Sequence, residues 1–190
     1  MGTALSELLA QRRPRRADAR RNFDALLRAA ADAFTELGPD VPMEEIAKRA
    51  GVGVATLYRH FPARVELMEW VYVSLVEDLV RYGGQLPAED PWAALVAWLH
   101  RFVAYLGAKH VLITVLTRES KGYQPCRDAL YGVAAPLLER AQQARAARAD
   151  VDVDDILRLA FSVTGGSYRD DAQRQRAIQI VLDGIRRHTP

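Results

Sequence analysis

Few residues in this chain have the types and spacing that bond-breaking chemistry needs. The one cysteine, Cys126, has no Cys-x-x-Cys partner, so it offers neither a redox pair nor half of a zinc site. His60, His100, His110 and His188 lack the i,i+3 or i,i+4 pairing that brings two imidazoles to one metal. Asp150, Asp152 and Asp154 alternate like the opening of a calcium loop. Asp155 then stands where that loop needs glycine, and Phe161 where it needs a bidentate glutamate. Helix capping accounts better for these aspartates. Gly51-Val52-Gly53 suggests a dinucleotide loop, yet no strand precedes it and Thr56 replaces the third glycine. No Ser-His-acid order and no pair of carboxylates stands out. The expectation is therefore no catalytic residue, no metal and no cofactor.

What remains is a stretch suited to binding. Met43 to Phe61 reads MEEIAKRAGVGVATLYRHF. Ala47 is small enough to let two short helices cross closely, and Gly51 has the backbone freedom for a tight turn. A second short helix follows Gly53. This is the helix-turn-helix pattern, whose second helix fits a duplex major groove about 12 Å wide.

The elements around it read as helices almost throughout. Phe23, Leu26, Leu27, Ala30, Phe34 and Leu37 form one stripe, stopped by Gly38 and Pro39. Val65 to Tyr82 forms another, stopped by Gly83 and Gly84, and Pro91 opens the next at its first turn. Val111 to Leu116 is short and β-branched, but no second strand exists to pair with it, so it reads as a buried helix. Residues 125–148 are helical with a kink or restart at Pro136. Asp152 or Asp154 caps a helix over about 154–166 that is apolar on most of its circumference, and a last helix spans about 172–188. Two terminal helices with such faces suit a two-fold interface with a second copy, for which Ile156, Leu159, Phe161, Ile178, Val181, Leu182 and Ile185 are the candidates.

The 190 residues carry 26 Lys+Arg against 24 Asp+Glu. That balance excludes a strongly basic coating protein and an acidic disordered one. Residues 1–64 hold 11 Lys+Arg against 8 Asp+Glu, while residues 65–190 hold 15 against 16. Arg12, Arg13, Arg15, Arg16, Arg20 and Arg21 cluster at the start, as in flexible arms that meet phosphates. A lone cysteine favours a cytoplasmic home. No apolar run approaches the ~18–20 residues of a membrane span, so no membrane partner is expected.

AGVGVATLYRHFPARVELMEWV closely resembles the DNA-binding signature of the TetR/AcrR family of bacterial transcriptional regulators. The likeness spans about Phe23 to Leu75 and continues loosely through ERAQQARAARADVDVDDIL and VLDGIRRH. It implies an all-α protein of about nine helices, with a basic flexible arm (1–20), a three-helix DNA-binding domain (21–64) and a helical effector-binding and dimerisation domain (65–190). It places Val54, Ala55 and Thr56 at base edges, Tyr58, His60 and Arg64 at phosphates, Arg59 at a base or sugar, and Leu57 and Phe61 in the core. It implies a homodimer on a pseudo-palindromic DNA operator, acting as a repressor released by a small apolar or aromatic effector. Tyr72, Trp98, Phe102 and Tyr105 are the candidate pocket residues. Two departures matter. Gly53 replaces the usual serine cap, and Pro42 stands where a capping Thr or Ser is common. The competing reading is an effector-free interaction protein with a vestigial DNA-binding domain.

Overall fold

The computed structural model describes residues 4–109 and 120–187. Among these residues all regular structure is helical apart from one isolated bridge, Ala147 to Arg186. The helices are α1 (Ala4–Arg12), α2 (Ala17–Leu37), α3 (Met43–Arg49), α4 (Val54–His60), α5 (Arg64–Gly84), α6 (Pro91–Lys109), α7 (Tyr123–Gln143), α8 (Val153–Thr164) and α9 (Asp171–Ile185). The segment Val111 to Leu116, expected as a buried helix, lies outside the described residues, as do His110 and His188.

The chain forms two compact units, Met1–Glu77 with Ala108–Arg127, and Asp78–Gly107 with Asp128–Pro190. The division falls within α5, later than the boundary expected at residue 64. In the first unit α2 buries Phe23, Leu26, Leu27, Ala30, Ala33 and Phe34, the 3.6-residue stripe of an amphipathic helix. Gly38 ends it with φ +89°, and its N–H donates to the Phe34 carbonyl at 3.1 Å. Leu37 and Val65, placed on these stripes by periodicity, are exposed. Both sit in a terminal turn, where the stripe outruns the core.

Where the arginine cluster suggests a flexible arm over 1–20, residues Ala4–Arg12 form a helix, and Leu5 and Leu9 are fully buried. The i,i+4 leucine pair supplies the apolar face that anchors it.

In the second unit, α7 continues through Pro136 instead of restarting there. It ends at Gln143, before the expected 148. Arg145 then takes a left-handed φ of +56°. Ala147 pairs with Arg186, and the Arg187 N–H donates to the Ala146 carbonyl at 2.9 Å. Asp152 is the cap of α8. Its carboxylate accepts from the Asp155 N–H at 2.9 Å, and the Asp155 carboxylate accepts from the Asp152 N–H at 3.0 Å, a reciprocal capping box. Asp170 caps α9 through the Gln173 N–H at 2.7 Å. No described helix is long and apolar enough to cross a membrane.

Candidate nucleic-acid interface

The turn between α3 and α4 is built by its glycines. Gly51 has φ +70°, a conformation open to glycine at no steric cost. Its N–H donates to the Lys48 carbonyl at 3.1 Å, and the Val52 N–H reaches the Ala47 carbonyl at 3.0 Å. The turn therefore folds back onto the end of α3. Gly53 begins α4 in an extended conformation with no side-chain cap, and Pro42 does the same for α3. Both expected departures are thus real gaps in capping.

α4 is held from one side. Leu57 and Phe61 are fully buried, and the Phe61 ring stacks on Phe23 of α2 at 5.1 Å. The opposite side faces solvent: Ala55 and Arg59 are exposed and Tyr58 is 43% exposed, while Val54, Thr56 and His60 are half-buried. Ala55, Tyr58 and Arg59 follow i, i+3, i+4 spacing, so they share one face. Ala55, Tyr58 and Arg59 are therefore together on an accessible strip of the first unit, while Val54, Thr56 and His60 are only partly open to solvent.

Two of the proposed phosphate contacts also have work inside the protein. Arg64 donates from Nη1 to the Pro39 and Val41 carbonyls at 2.9 and 2.6 Å, tying the loop before α3 to the start of α5. His60 leans its ring edge-on to Phe23 with centroids 6.0 Å apart. Burial, then the charges of Arg12 and Arg59, push its imidazole below the ordinary histidine range. On α3, Arg49 is clasped by Glu36 at 2.7 Å and Glu45 at 3.1 Å, whereas Lys48 projects into solvent.

Sequence reasoning assigns Arg12 and Arg13 to a phosphate-seeking arm. Arg12 instead pairs with Glu66 at 2.8 Å and donates to the His60 carbonyl. Arg13 pairs with Asp24 and Glu77, each at 3.1 Å. Arg15, Arg16, Arg20 and Arg21 remain exposed.

Residues 26–71 match the family described as bacterial regulatory proteins, tetR family, and residues 90–187 match the transcriptional regulator SbtR-like, C-terminal domain. The chain belongs to the TetR family of transcriptional regulators. The TetR regulator SCO0520 of Streptomyces coelicolor shares 34% identity, with a TM-score of 0.76 over 88% of this chain and 99% of that one. A TetR regulatory protein of Mycobacterium vanbaalenii shares 34% identity, with a TM-score of 0.72 over 91% and 99%. The uncharacterized HTH-type regulator TtgW of Pseudomonas putida is 31% identical over 96 residues, 50% of this chain and 67% of its own length. The chain spans about half the length of curated relatives from Staphylococcus aureus and Mycobacterium tuberculosis. TetR-family proteins generally bind DNA as dimers and answer small-molecule effectors.

The residues suggested for an effector pocket are buried. In the second unit Trp98 stacks on Phe102 at 5.2 Å, and Phe102 on Tyr105 at 6.0 Å. The Trp98 Nε1–H donates to the Leu79 carbonyl at 3.3 Å. Tyr72 is buried in the first unit. Trp98, Phe102 and Tyr105 thus form one continuous stack in the core of the second unit.

The suggested dimer residues divide. Ile156, Ile178, Leu182 and Ile185 are buried within one subunit, where Leu99, Val103, Ala160, Val163 and Val181 join them around a void of about 10 Å³. The side chains of Ile156, Ile178, Leu182 and Ile185 are thus already withdrawn from water by their own subunit. Leu159 at 45%, Phe161 at 49% and Ile180 at 70% exposure carry the apolar surface that is left. Periodicity alone does not single out Ile180, because it does not show which apolar side its own subunit covers. Among the described residues no group of three or more His, Cys, Asp or Glu is placed to share a metal ion.

Proposed function

We propose that two copies of this chain bind an operator duplex and repress transcription until a small molecule releases them. One observation carries the reading. α4 lies in the segment that matches the DNA-binding family, buries Leu57 and Phe61 completely, and turns Ala55, Tyr58 and Arg59 outward. A helix pinned on one side and chemically mixed on the other suits a major groove.

Val54 and Ala55 pack on thymine methyls, and Thr56 donates to a base or a phosphate. Tyr58, His60 and the nitrogens of Arg64 beyond Nη1 meet phosphates, and Arg59 reaches a base or sugar. The second copy joins through α8 and α9, with Leu159, Phe161 and Ile180 as the apolar contacts. The two α4 helices then address half-sites about 34–36 Å apart.

Release is a population shift. The effector prefers a conformation in which the two α4 helices no longer match the half-site spacing. Its site is among the aromatics of the second unit, Trp98, Phe102 and Tyr105, and it forms by parting a packed stack. α5 is one helix from Arg64 to Gly84 and carries the change. A coupling of about 1–3 kcal/mol changes operator affinity roughly 5–150-fold.

The test is selection of genomic fragments by the purified protein, followed by release assays with metabolites of the genes next to the selected site. Recovery of a two-fold symmetric sequence, with one metabolite lowering affinity at least fivefold, supports the reading. Recovery of unrelated fragments that wash off with salt contradicts DNA recognition. A recovered operator that no metabolite releases contradicts the effector.

A further inference from the structure

α1 presents one face to the protein. Leu5, Leu8, Leu9 and Arg12 are spaced i, i+3, i+4 and i+7, so the two buried leucines and the arginine are delivered together. Arg12 lies in the last turn of α1. Its guanidinium stands 5.8 Å from the Phe23 ring centroid, 5.5 Å from Phe61 and 5.7 Å from Trp70, an aromatic cage that suits a weakly hydrated planar cation. Nη2 donates to the carbonyl of His60, the final residue of α4, and to Oε1 of Glu66 at 2.8 Å in the first turn of α5.

The last carbonyls of a helix have no partner within it, and a cation beside them is favoured by the helix dipole. α4 is only seven residues long, so fixing its last turn fixes a large part of it. Nη2 therefore joins the end of α4 to the start of α5, and the rings of α2 and α5 hold the guanidinium in place.

We infer that Arg12 is a positioning residue for α4, a clasp by which α1 fixes the DNA-contacting helix on the α2–α5 framework. This rests on reading α4 as the helix that meets DNA. A guanidinium held by these partners acts through α4 and not as a phosphate contact. The two roles differ in salt dependence, because each lost phosphate contact lowers the slope of log affinity against log salt by about one.

The test compares wild-type protein with Arg12→Gln, Arg12→Lys and Glu66→Gln. Affinity is measured on a selected operator and on a scrambled duplex of equal length across a salt series. The clasp predicts that Arg12→Gln lowers the operator-to-scrambled ratio about tenfold with the salt slope unchanged. Arg12→Lys recovers only part of that ratio, since an ammonium lacks the planar spread that fills the cage. Glu66→Gln also lowers the ratio. A ratio kept by Arg12→Gln with a slope reduced by about one, or a ratio raised by Glu66→Gln, overturns the inference in favour of a phosphate contact.

Amide exchange in the DNA-free protein separates this inference from the functional reading. Arg12→Gln is expected to speed exchange at Tyr58–Phe61 about tenfold and to leave Leu26–Phe34 of α2 unchanged. If wild-type protein shows no operator preference, the functional reading fails, and exchange alone judges the clasp. If operator binding holds and exchange at Tyr58–Phe61 does not move, the clasp fails and the functional reading stands.

Discussion

The indole of Trp98 lies against Gly83 so closely that a Cβ on Gly83 would stand 2.9 Å from Cδ1, and 2.4 Å from Cγ2 of Val133. Glycine at this point of α5 is a packing requirement, because Trp98 is fully buried and Val133 would have to shift to admit a Cβ. Gly83→Ala gains about 1 kcal/mol of helix propensity but forces Trp98 or Val133 aside, at about 1–3 kcal/mol. A net loss of stability is expected, read as a lower thermal midpoint. A raised midpoint would mean that the Trp98 stack yields easily.

His60 makes stability depend on pH with a definite sign. Its folded-state pKa lies below the ordinary 6.5 because of burial and the nearby Arg12 and Arg59. The unfolded chain therefore takes up the proton first as pH falls. Stability is complete above about pH 6.5 and declines as pH drops through 6.5 toward the folded value. Denaturant midpoints taken at about pH 8 and about pH 5.5 are expected to differ more for wild type than for His60→Gln. Equal differences in the two proteins would contradict this.

Gly53 starts α4 without a side-chain cap, its φ is ordinary, and nothing lies within 4 Å of where a Cβ would go. Gly53→Ser adds a hydroxyl acceptor for the free N–H groups of α4 and narrows the unfolded ensemble. About 0.5–1 kcal/mol of added stability is expected, seen in equilibrium unfolding. Loss of stability would show that the hydroxyl meets no N–H.

Ile178 and Ile180 are two residues apart on α9, one buried and one exposed. Ile180→Lys is expected to leave the subunit folded and shift it toward monomer in sedimentation. Ile178→Lys is expected to unfold it, since a lone buried charge costs several kcal/mol. A dimer that survives Ile180→Lys at low concentration would move the interface elsewhere.

Much of this architecture was legible because its causes are local. The stripe from Phe23 to Phe34, the stop at Gly38, the turn at Gly51 and the cap at Asp152 each depend on neighbours in sequence. Arg12 and Arg13 were not legible in the same way. Six arginines near the start look like a loose arm, and their partners Glu66 and Glu77 lie more than fifty residues further on. The signal that could have shown α1 was Leu5 and Leu9, four apart beside Leu8. The apolar residues of α8 and α9 were recognisable as apolar. Which of them stay outside depends on the fit of the two helices to one another and to α6, and composition does not reveal that fit.

Leu57 and Tyr58 are adjacent on α4, one sealed in the core and the other open to solvent. The central claim is that the open side reads DNA. Thr56→Ala with Tyr58→Ala leaves Leu57 and Phe61 in place, so folding and pairing are expected to survive in circular dichroism and sedimentation. The deciding measurement is the affinity of that variant for a selected operator, relative to a scrambled duplex at the same salt. A fall in this preference of about fivefold or more is expected, from loss of about 1–3 kcal/mol of direct contact. An unchanged preference in a folded, paired variant would contradict the assignment of α4 as the reading helix.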